Sequence, residues 1–232
     1  MNDAWERLIV ERDKILKKAP NGKKALVIRL GGFGDLIMIT PLLKQLKKDD
    51  YYIVFNGQGI AMQVLVLNPN IDARIKQERN EIDPKELDVF WKELGEGFDS
   101  VINLSGTIEG HLLKPEGSGE FNWSKEKRHA ECNLNYIDYT MECGGYPELK
   151  GLMPELHFSV NEHKWAKQFR NAHKDKFIVL WSLAGSGFHK IYPYTEYVSC
   201  EFLDKHKDTV VLTVGEDICK ILEWNHPRTK CL

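Results

Sequence analysis

Short apolar runs alternate with amphipathic stretches along residues 1–145. The runs have the length of buried parallel strands and cover 25–30, 51–55, 73–75 and 100–104. Apolar residues at helical spacing lie between them, at 1–18, 36–48, 58–67, 84–94 and 133–143. This alternation predicts an α/β domain with a doubly wound parallel sheet.

Two places in this domain interrupt the alternation. Thr40 and Pro41 fit the cap and first residue of a new helix, and they equally fit a proline kink in a helix that begins at Asp35. Residues 105–131 combine Pro115 with four glycines and mixed charge. So long an irregular stretch in a compact domain is typical of a functional loop or a disordered one.

The pattern starts again after a linker at 147–154. Helices are predicted at 161–173, at 195–206 and from 217 onward, and strands at 177–181 and 209–214. We therefore expect two Rossmann-like domains, 1–158 and 159–232. One strand–helix–strand unit is shorter than an open Rossmann sheet, so the second domain is predicted to be incomplete.

Composition narrows the class of protein. The net charge of −2 gives no basic field for nucleic acid, and the first seven residues lack the apolar core of a secretory signal. No stretch reaches the roughly 20 apolar residues that cross a bilayer. The five cysteines are odd in number and lack C-x-x-C spacing, which favours reduced thiols. We expect a cytoplasmic protein with at most peripheral membrane contact.

The first turn with candidate chemistry follows the strand at 25–30. Residues 29–35 read Arg-Leu-Gly-Gly-Phe-Gly-Asp, and glycine there permits positive φ and close approach of a ligand. The third glycine of a dinucleotide fingerprint is absent. Asp35 would repel a diphosphate, yet it suits a base that takes a proton from a sugar hydroxyl. The alternative is an acid that interacts with the helix macrodipole.

The second turn follows the strand at 177–181. Residues 181–193 contain small residues, which offer their backbone N–H groups, and then Lys190, a combination that suits a diphosphate leaving group. The spacing is not that of a Walker P-loop.

Four segments together resemble the heptosyltransferases, the family 9 glycosyltransferases that use ADP-heptose in lipopolysaccharide core assembly. Residues 28–42 resemble the family's strand, Gly-Asp turn and Thr-Pro helix. Residues 98–106 are similar to a later strand, with Asn103 where an acid is usual, and 129–136 to the segment entering the last helix of the first domain. Residues 186–193 are similar to the K-x-W-P element, with Tyr192 in place of tryptophan.

The resemblance implies a GT-B fold, in which two Rossmann-like domains face a cleft, and inverting transfer without a metal or cofactor. Asp35 would deprotonate the acceptor hydroxyl. Lys190, with Ser186 and Gly187, would hold the departing diphosphate of a nucleotide-sugar, ADP-linked in this family. Glu216 is a weaker candidate for the donor ribose. The partners implied are that donor and a glycan or glycolipid acceptor.

Acceptor contacts are predicted on the first domain. The candidates are Gly32, Phe33, Gly34, Ser105, Trp123, Lys125 and Arg128. The loop's aromatic faces suit sugar rings, and its cations suit acceptor phosphates or carboxylates. The alternative is a solvated loop without a ligand. His129 and Cys132 have no second ligand pair beside them, so no metal site is predicted.

Two other functions compete with the transferase. A non-catalytic or degenerate protein of the same fold would bind sugar or nucleotide without turnover. A nicotinamide-dependent oxidoreductase rests on Gly32-x-Gly34 alone.

Overall fold

The computed structural model describes residues 3–78, 80–104, 123–131, 133, 135–185, 188–215 and 217–231. The chain divides into two compact units, Met1–Phe158 and Ser159–Leu232. Each unit contains a parallel sheet accompanied by helices, which confirms the α/β fold class.

Unit 1 holds a four-stranded parallel sheet in the order β3-β2-β1-β4. Its elements are α1 (Asp3–Lys18), β1 (Lys24–Arg29), α2 (Phe33–Met38), α3 (Thr40–Lys48), β2 (Tyr52–Gly57), a 3-10 helix (Ala61–Leu65), β3 (Ala73–Lys76), α4 (Leu87–Leu94), β4 (Ser100–Asn103), α5 (Lys125–Glu131) and α6 (Tyr136–Cys143). The predicted strands and helices differ from these bounds by at most three residues, apart from α2 and α5.

Strand β1 is an interior strand, paired with β2 on one side and β4 on the other, and helices cover both faces of the sheet there. Ala25 and Val27 pack with residues of α2, α3 and α6, whereas Leu26 and Ile28 pack with α1 and α4. Alternate residues of a strand point to opposite faces, so a continuous apolar run is what such a strand requires. Helix α1 packs against α4 and β3, within its own unit.

The Thr40–Pro41 question resolves into two helices. α2 ends at Met38, and α3 begins at Thr40 with Pro41 in its first turn, where a missing N–H costs no hydrogen bond. The buried Thr40 hydroxyl donates to Ile37 O at 2.8 Å and accepts the Glu155 N–H at 2.8 Å. Thr40 therefore ties the end of unit 1 to the junction of α2 and α3.

Unit 2 holds a three-stranded parallel sheet in the order β5-β6-β7. Its elements are α7 (Val160–Ala172), β5 (Phe177–Ser182), a 3-10 helix (Phe188–Lys190), α8 (Thr195–Lys205), β6 (Thr209–Val214), α9 (Asp217–Ile221) and β7 (Thr229–Cys231). The prediction of a single strand–helix–strand unit missed β7.

Residues 105–131 do not form one irregular segment, because α5 occupies the end of that range. Residues 105–122 lie outside the part of the chain that the structure describes. Among the helices that it does describe, none is long and apolar enough to cross a membrane.

Candidate functional site

The strand order in the sheet of unit 1 reverses beside β1. The chain runs outward from β1 to β2 and β3 and then returns to place β4 on the other side of β1. In open α/β sheets, ligands bind at the carboxyl ends of the two strands that flank such a switch point. Arg29 ends β1, and Asn103, paired in register with Ile28, ends β4. The turn with Asp35 therefore lies at the edge of the sheet where a ligand is expected.

The Asp35 carboxylate is held at both oxygens. Oδ1 accepts a hydrogen bond from Arg29 Nη2 at 3.0 Å, and Oδ2 accepts the Gly32 N–H at 2.7 Å. The Arg29 side chain is 1% exposed and that of Asp35 is 18% exposed. A buried guanidinium and a backbone N–H both stabilise the ionised carboxylate.

Gly31 provides the space that the carboxylate occupies. A Cβ at this position would lie 2.4 Å from Asp35 Oδ2 and 2.8 Å from Asp35 Cγ. None of Gly31, Gly32 and Gly34 has positive φ, so the expected conformational reason for this glycine cluster was wrong. What the turn requires at Gly31 is the absence of a side chain.

Arg29 is placed by contacts from two directions. Its Nη1 donates to Leu30 O at 3.2 Å, and its guanidinium carbon lies 5.8 Å from the centre of the Tyr136 ring at the start of α6. The cation is thus covered by an aromatic face and directed at Asp35. Its position in an otherwise apolar strand was a sequence signal, because a cation in an interior strand needs an anionic partner.

The predicted acceptor residues around this turn have different surroundings. Phe33 begins α2 with 46% of its surface exposed, and a Cβ at Gly34 would meet no atom within 4 Å. Gly32 serves as the N-cap of α2 in extended conformation. Ser105 lies outside the described residues. The exposed phenyl ring and the open space beside it suit contact with a bound molecule.

The predicted acceptor residues Trp123, Lys125 and Arg128 lie in or directly before helix α5. Lys127 Nζ lies 4.6 Å from the centre of the Trp123 ring, so the ring stacks on Lys127, whereas Lys125 is exposed at the start of α5. Ser124 Oγ accepts the Lys127 N–H at 3.2 Å. A hydrogen bond from the backbone N–H of Glu126, and then one from the Ser124 side chain, lower the pKa of Glu126. The Arg128 side chain lies outside the description.

Unit 2 places Lys190 on the turn that follows β5. A Cβ at Gly185 would lie 2.7 Å from Lys190 Cδ and 3.2 Å from its Cβ, so the lysine stem crosses the glycine. Gly215, after the neighbouring β6, has a φ of +144°, which favours glycine, and lies against Cys219. Ser182 and Val214 are paired in register, so these two turns lie at one edge of the sheet. Ser186, Gly187 and Glu216 are outside the described residues.

Sequence reasoning missed three contributors to the site. Arg29 pairs with Asp35, the Tyr136 ring covers the Arg29 guanidinium, and Gly185 leaves the space in which the Lys190 stem lies. Among the described residues, no group of three or more His, Cys, Asp and Glu side chains could hold a metal ion.

Known structures resemble this chain over most of its length. A family 9 glycosyl transferase from Veillonella parvula DSM 2008 is 18% identical, with a TM-score of 0.60, 90% of this chain and 70% of that one covered. The fold is that of the family 9 glycosyltransferases. The E. coli ADP-heptose LPS heptosyltransferase II is 16% identical, with a TM-score of 0.54, 90% of this chain and 72% of that one covered. The E. coli heptosyltransferase WaaC with ADP is 12% identical, with a TM-score of 0.56, and the match covers 90% of this chain and 74% of that one.

The resemblance predicted from the four segments is thus confirmed for the fold. No protein-family model matches the chain, and no curated protein matches it.

Proposed function

We propose that this chain is a glycosyltransferase that moves a heptose-like sugar from a nucleotide-diphosphate donor to an acceptor hydroxyl. The acceptor is proposed to be a glycan of the lipopolysaccharide type, at the cytoplasmic side of the cell. The observation that carries the proposal is the Asp35 carboxylate, fixed at the switch point of a fold shared with ADP-heptose transferases.

In the proposed reaction Asp35 is the general base. The acceptor hydroxyl gives its proton to Asp35 as its oxygen attacks the anomeric carbon of the donor. The bond from that carbon to the diphosphate oxygen breaks, and the nucleoside diphosphate leaves with the electron pair. Attack opposite the leaving group inverts the anomeric configuration.

The contacts of Asp35 suit this role. Arg29 and Gly32 each bind one carboxylate oxygen, so the group that receives the proton is held in a fixed orientation. The same contacts stabilise the ionised form, which is the form that accepts a proton. They also weaken the base, so its contribution rests on orientation as much as on basicity.

The donor is assigned to the turns of unit 2. Lys190 supplies the positive charge near the diphosphate, and its stem is positioned on Gly185. Charge that grows on the leaving diphosphate is stabilised by a cation and by backbone N–H groups. Lys190 is a point charge on a flexible chain, which suits an anion that moves away. Metal-independent transfer requires a stabilising group of this kind.

The test is turnover of ADP-heptose with a heptose-accepting glycolipid core, in excess EDTA, for the native chain and for Asp35→Asn. General-base catalysis is worth about 10²- to 10⁴-fold, and the variant is expected to lose activity on that scale. Glu162→Gln is the matched control. Glu162 also accepts the N–H of its helix cap, Ser159, at 2.6 Å, but it lies on exposed α7.

Each outcome is informative. Equal turnover in Asp35→Asn would contradict the mechanism, and loss in both variants would indicate damage to helix caps. ADP-sugar binding without turnover in the native chain favours the non-catalytic alternative. Retained anomeric configuration of the product would exclude single-step inverting transfer.

A further inference from the structure

The Arg29 guanidinium is buried at the end of a central strand, where it contacts the carboxylate assigned as the base. Lysine and arginine are rarely fully buried unless they are paired. The pairing here is to Asp35, six residues later, across the turn that carries the candidate chemistry.

We infer that Arg29 is the positioning residue of the site, acting on the reaction through Asp35. It fixes the orientation of the carboxylate and keeps it ionised. This inference rests on the proposed function for its catalytic meaning, but the underlying electrostatic effect is measurable without turnover.

The geometry supports positioning because the carboxylate is confined on three sides. Arg29 Nη2 holds Oδ1 at 3.0 Å, and the Gly32 N–H holds Oδ2 at 2.7 Å. Gly31 lies beneath, with no space for a Cβ. A guanidinium presents its donors in a rigid plane, so the second donor, bound to Leu30 O at 3.2 Å, orients the first.

Other charged groups on the neighbouring elements have different partners. Asp138 of α6 accepts the Gly151 N–H at 2.9 Å, Lys47 of α3 pairs with Asp72 at 2.7 Å, and Lys44 of α3 pairs with Glu155. Tyr136 of α6 faces the guanidinium, and the 3-10 helix packed against α2 has no titratable residue. Arg29 is the cation whose contact with the carboxylate the structure describes.

The test compares Arg29→Gln, which removes the charge, with Arg29→Lys, which keeps it. In the full chain with ¹³C-labelled aspartate, the Asp35 carboxyl signal is assigned by its loss in Asp35→Asn and followed against pH. In Arg29→Gln the titration midpoint is expected to move upward by about one pH unit or more, since an opposite charge is lost. Arg29→Lys is expected to fall between the native chain and Arg29→Gln.

Turnover gives the second readout. The acid limb of the pH–rate profile should follow the same order, with Arg29→Lys recovering activity that Arg29→Gln loses. A merely structural role would reduce stability without moving that limb. An unchanged Asp35 midpoint in a folded Arg29→Gln chain overturns the inference. If Arg29→Gln does not fold, the Asp35 midpoint in Arg29→Lys is used instead. An upward shift of that midpoint relative to the native chain supports the inference, and an unchanged midpoint contradicts it.

Failure of the proposed function is distinguishable from failure of this inference. A chain without transferase activity still has an Asp35 signal that responds, or does not respond, to Arg29. Activity with an Asp35 midpoint insensitive to Arg29 would leave the proposed function standing and remove the positioning role.

Discussion

In the turn after β1 and in the turn after β5, a glycine leaves space for a charged side chain, an acid in the first turn and a lysine in the second. Gly31 makes room for the Asp35 carboxylate, and Gly185 makes room for the Lys190 stem. The difference is which part of the side chain each glycine accommodates. At Gly31 it is the charged end of Asp35, which Arg29 and Gly32 bind. At Gly185 it is the aliphatic stem of Lys190, whose Cδ and Cβ atoms lie closest to the glycine. An added methyl group would therefore displace the reacting group itself at Gly31, and only a rotatable stem at Gly185.

The two strands that lead into these turns also differ. Both are apolar in sequence, but β1 is buried along its length, whereas Phe177 and Leu180 of β5 are 62% and 65% exposed. Within the described sheet β5 is an edge strand and β1 has a partner on each side. Burial therefore depends on neighbours that a strand's own pattern does not reveal.

Among changes that leave Asp35 and Lys190 in place, the largest effect is expected at Gly31. In Gly31→Ala the new methyl group meets Asp35 Oδ2, Cβ and Cγ within 2.8 Å, so the acid and the first turn of α2 must shift. Displacing a catalytic group by about 1 Å can cost about 100-fold in turnover, and a loss of that order is expected. Steady-state kinetics on the folded variant measures it.

A double variant tests whether that loss acts through Asp35. If Gly31→Ala only displaces the carboxylate, adding it to Asp35→Asn should reduce turnover little further. Losses that multiply in the double variant would show that Gly31 acts independently of the acid.

Lys190 gives the second effect. Lys190→Gln removes the proposed charge on the diphosphate and is expected to raise the KM for the ADP-sugar about tenfold, the value of one charge-assisted contact. Lys207→Gln, a change at an exposed lysine of the same unit, is the control and should leave KM within about twofold. Equal KM in the two variants would remove Lys190 from the donor site.

The sequence predicted those elements of the fold that have a local apolar pattern, and missed those that depend on contacts with distant residues. The apolar runs locate β1, β2, β5 and β6 because buried strands require them. Helix α5 has a charged sequence without apolar periodicity, so no pattern marks it. Strand β7 is three residues long and is defined by its pairing with β6.

For the candidate site, the sequence indicated individual residues but not the contacts between them. Asp35 and Lys190 stand out because charged residues follow glycine turns. The pairing of Asp35 with Arg29, the cover by Tyr136 and the space at Gly31 depend on distances between atoms. These distances exist only after the turn folds, and a sequence reading gives the residues without their separations.

A smaller effect is expected at Gly185. Its added methyl would meet the flexible Lys190 stem at 2.7 Å from Cδ, and a lysine stem can change rotamer. Gly185→Ala should therefore raise the donor KM by about two- to fivefold, well below the effect at Gly31. In a Lys190→Ala background the change should have no further effect. A loss as large as that of Gly31→Ala would show that the β5 turn is as constrained as the β1 turn.

The smallest effect concerns a capping acid that lacks the surroundings of Asp35. Hydrogen bonds from the Ser159 side chain and then its backbone lower the pKa of Glu162 below its ordinary value of 4.5. A carboxyl with a lowered pKa stabilises the fold above its unfolded value, and that contribution disappears as the pH falls through the folded value. Glu162→Gln should thus lower the Tm slightly near neutral pH, and the difference should shrink below pH 4.5 and disappear once the pH has fallen through the lowered pKa of Glu162. Thermal unfolding across this range measures it, and because Glu162 is exposed, turnover should stay at the native level at each pH. A difference in Tm that persists unchanged at low pH would mean that the charge of Glu162 has no part in its cap.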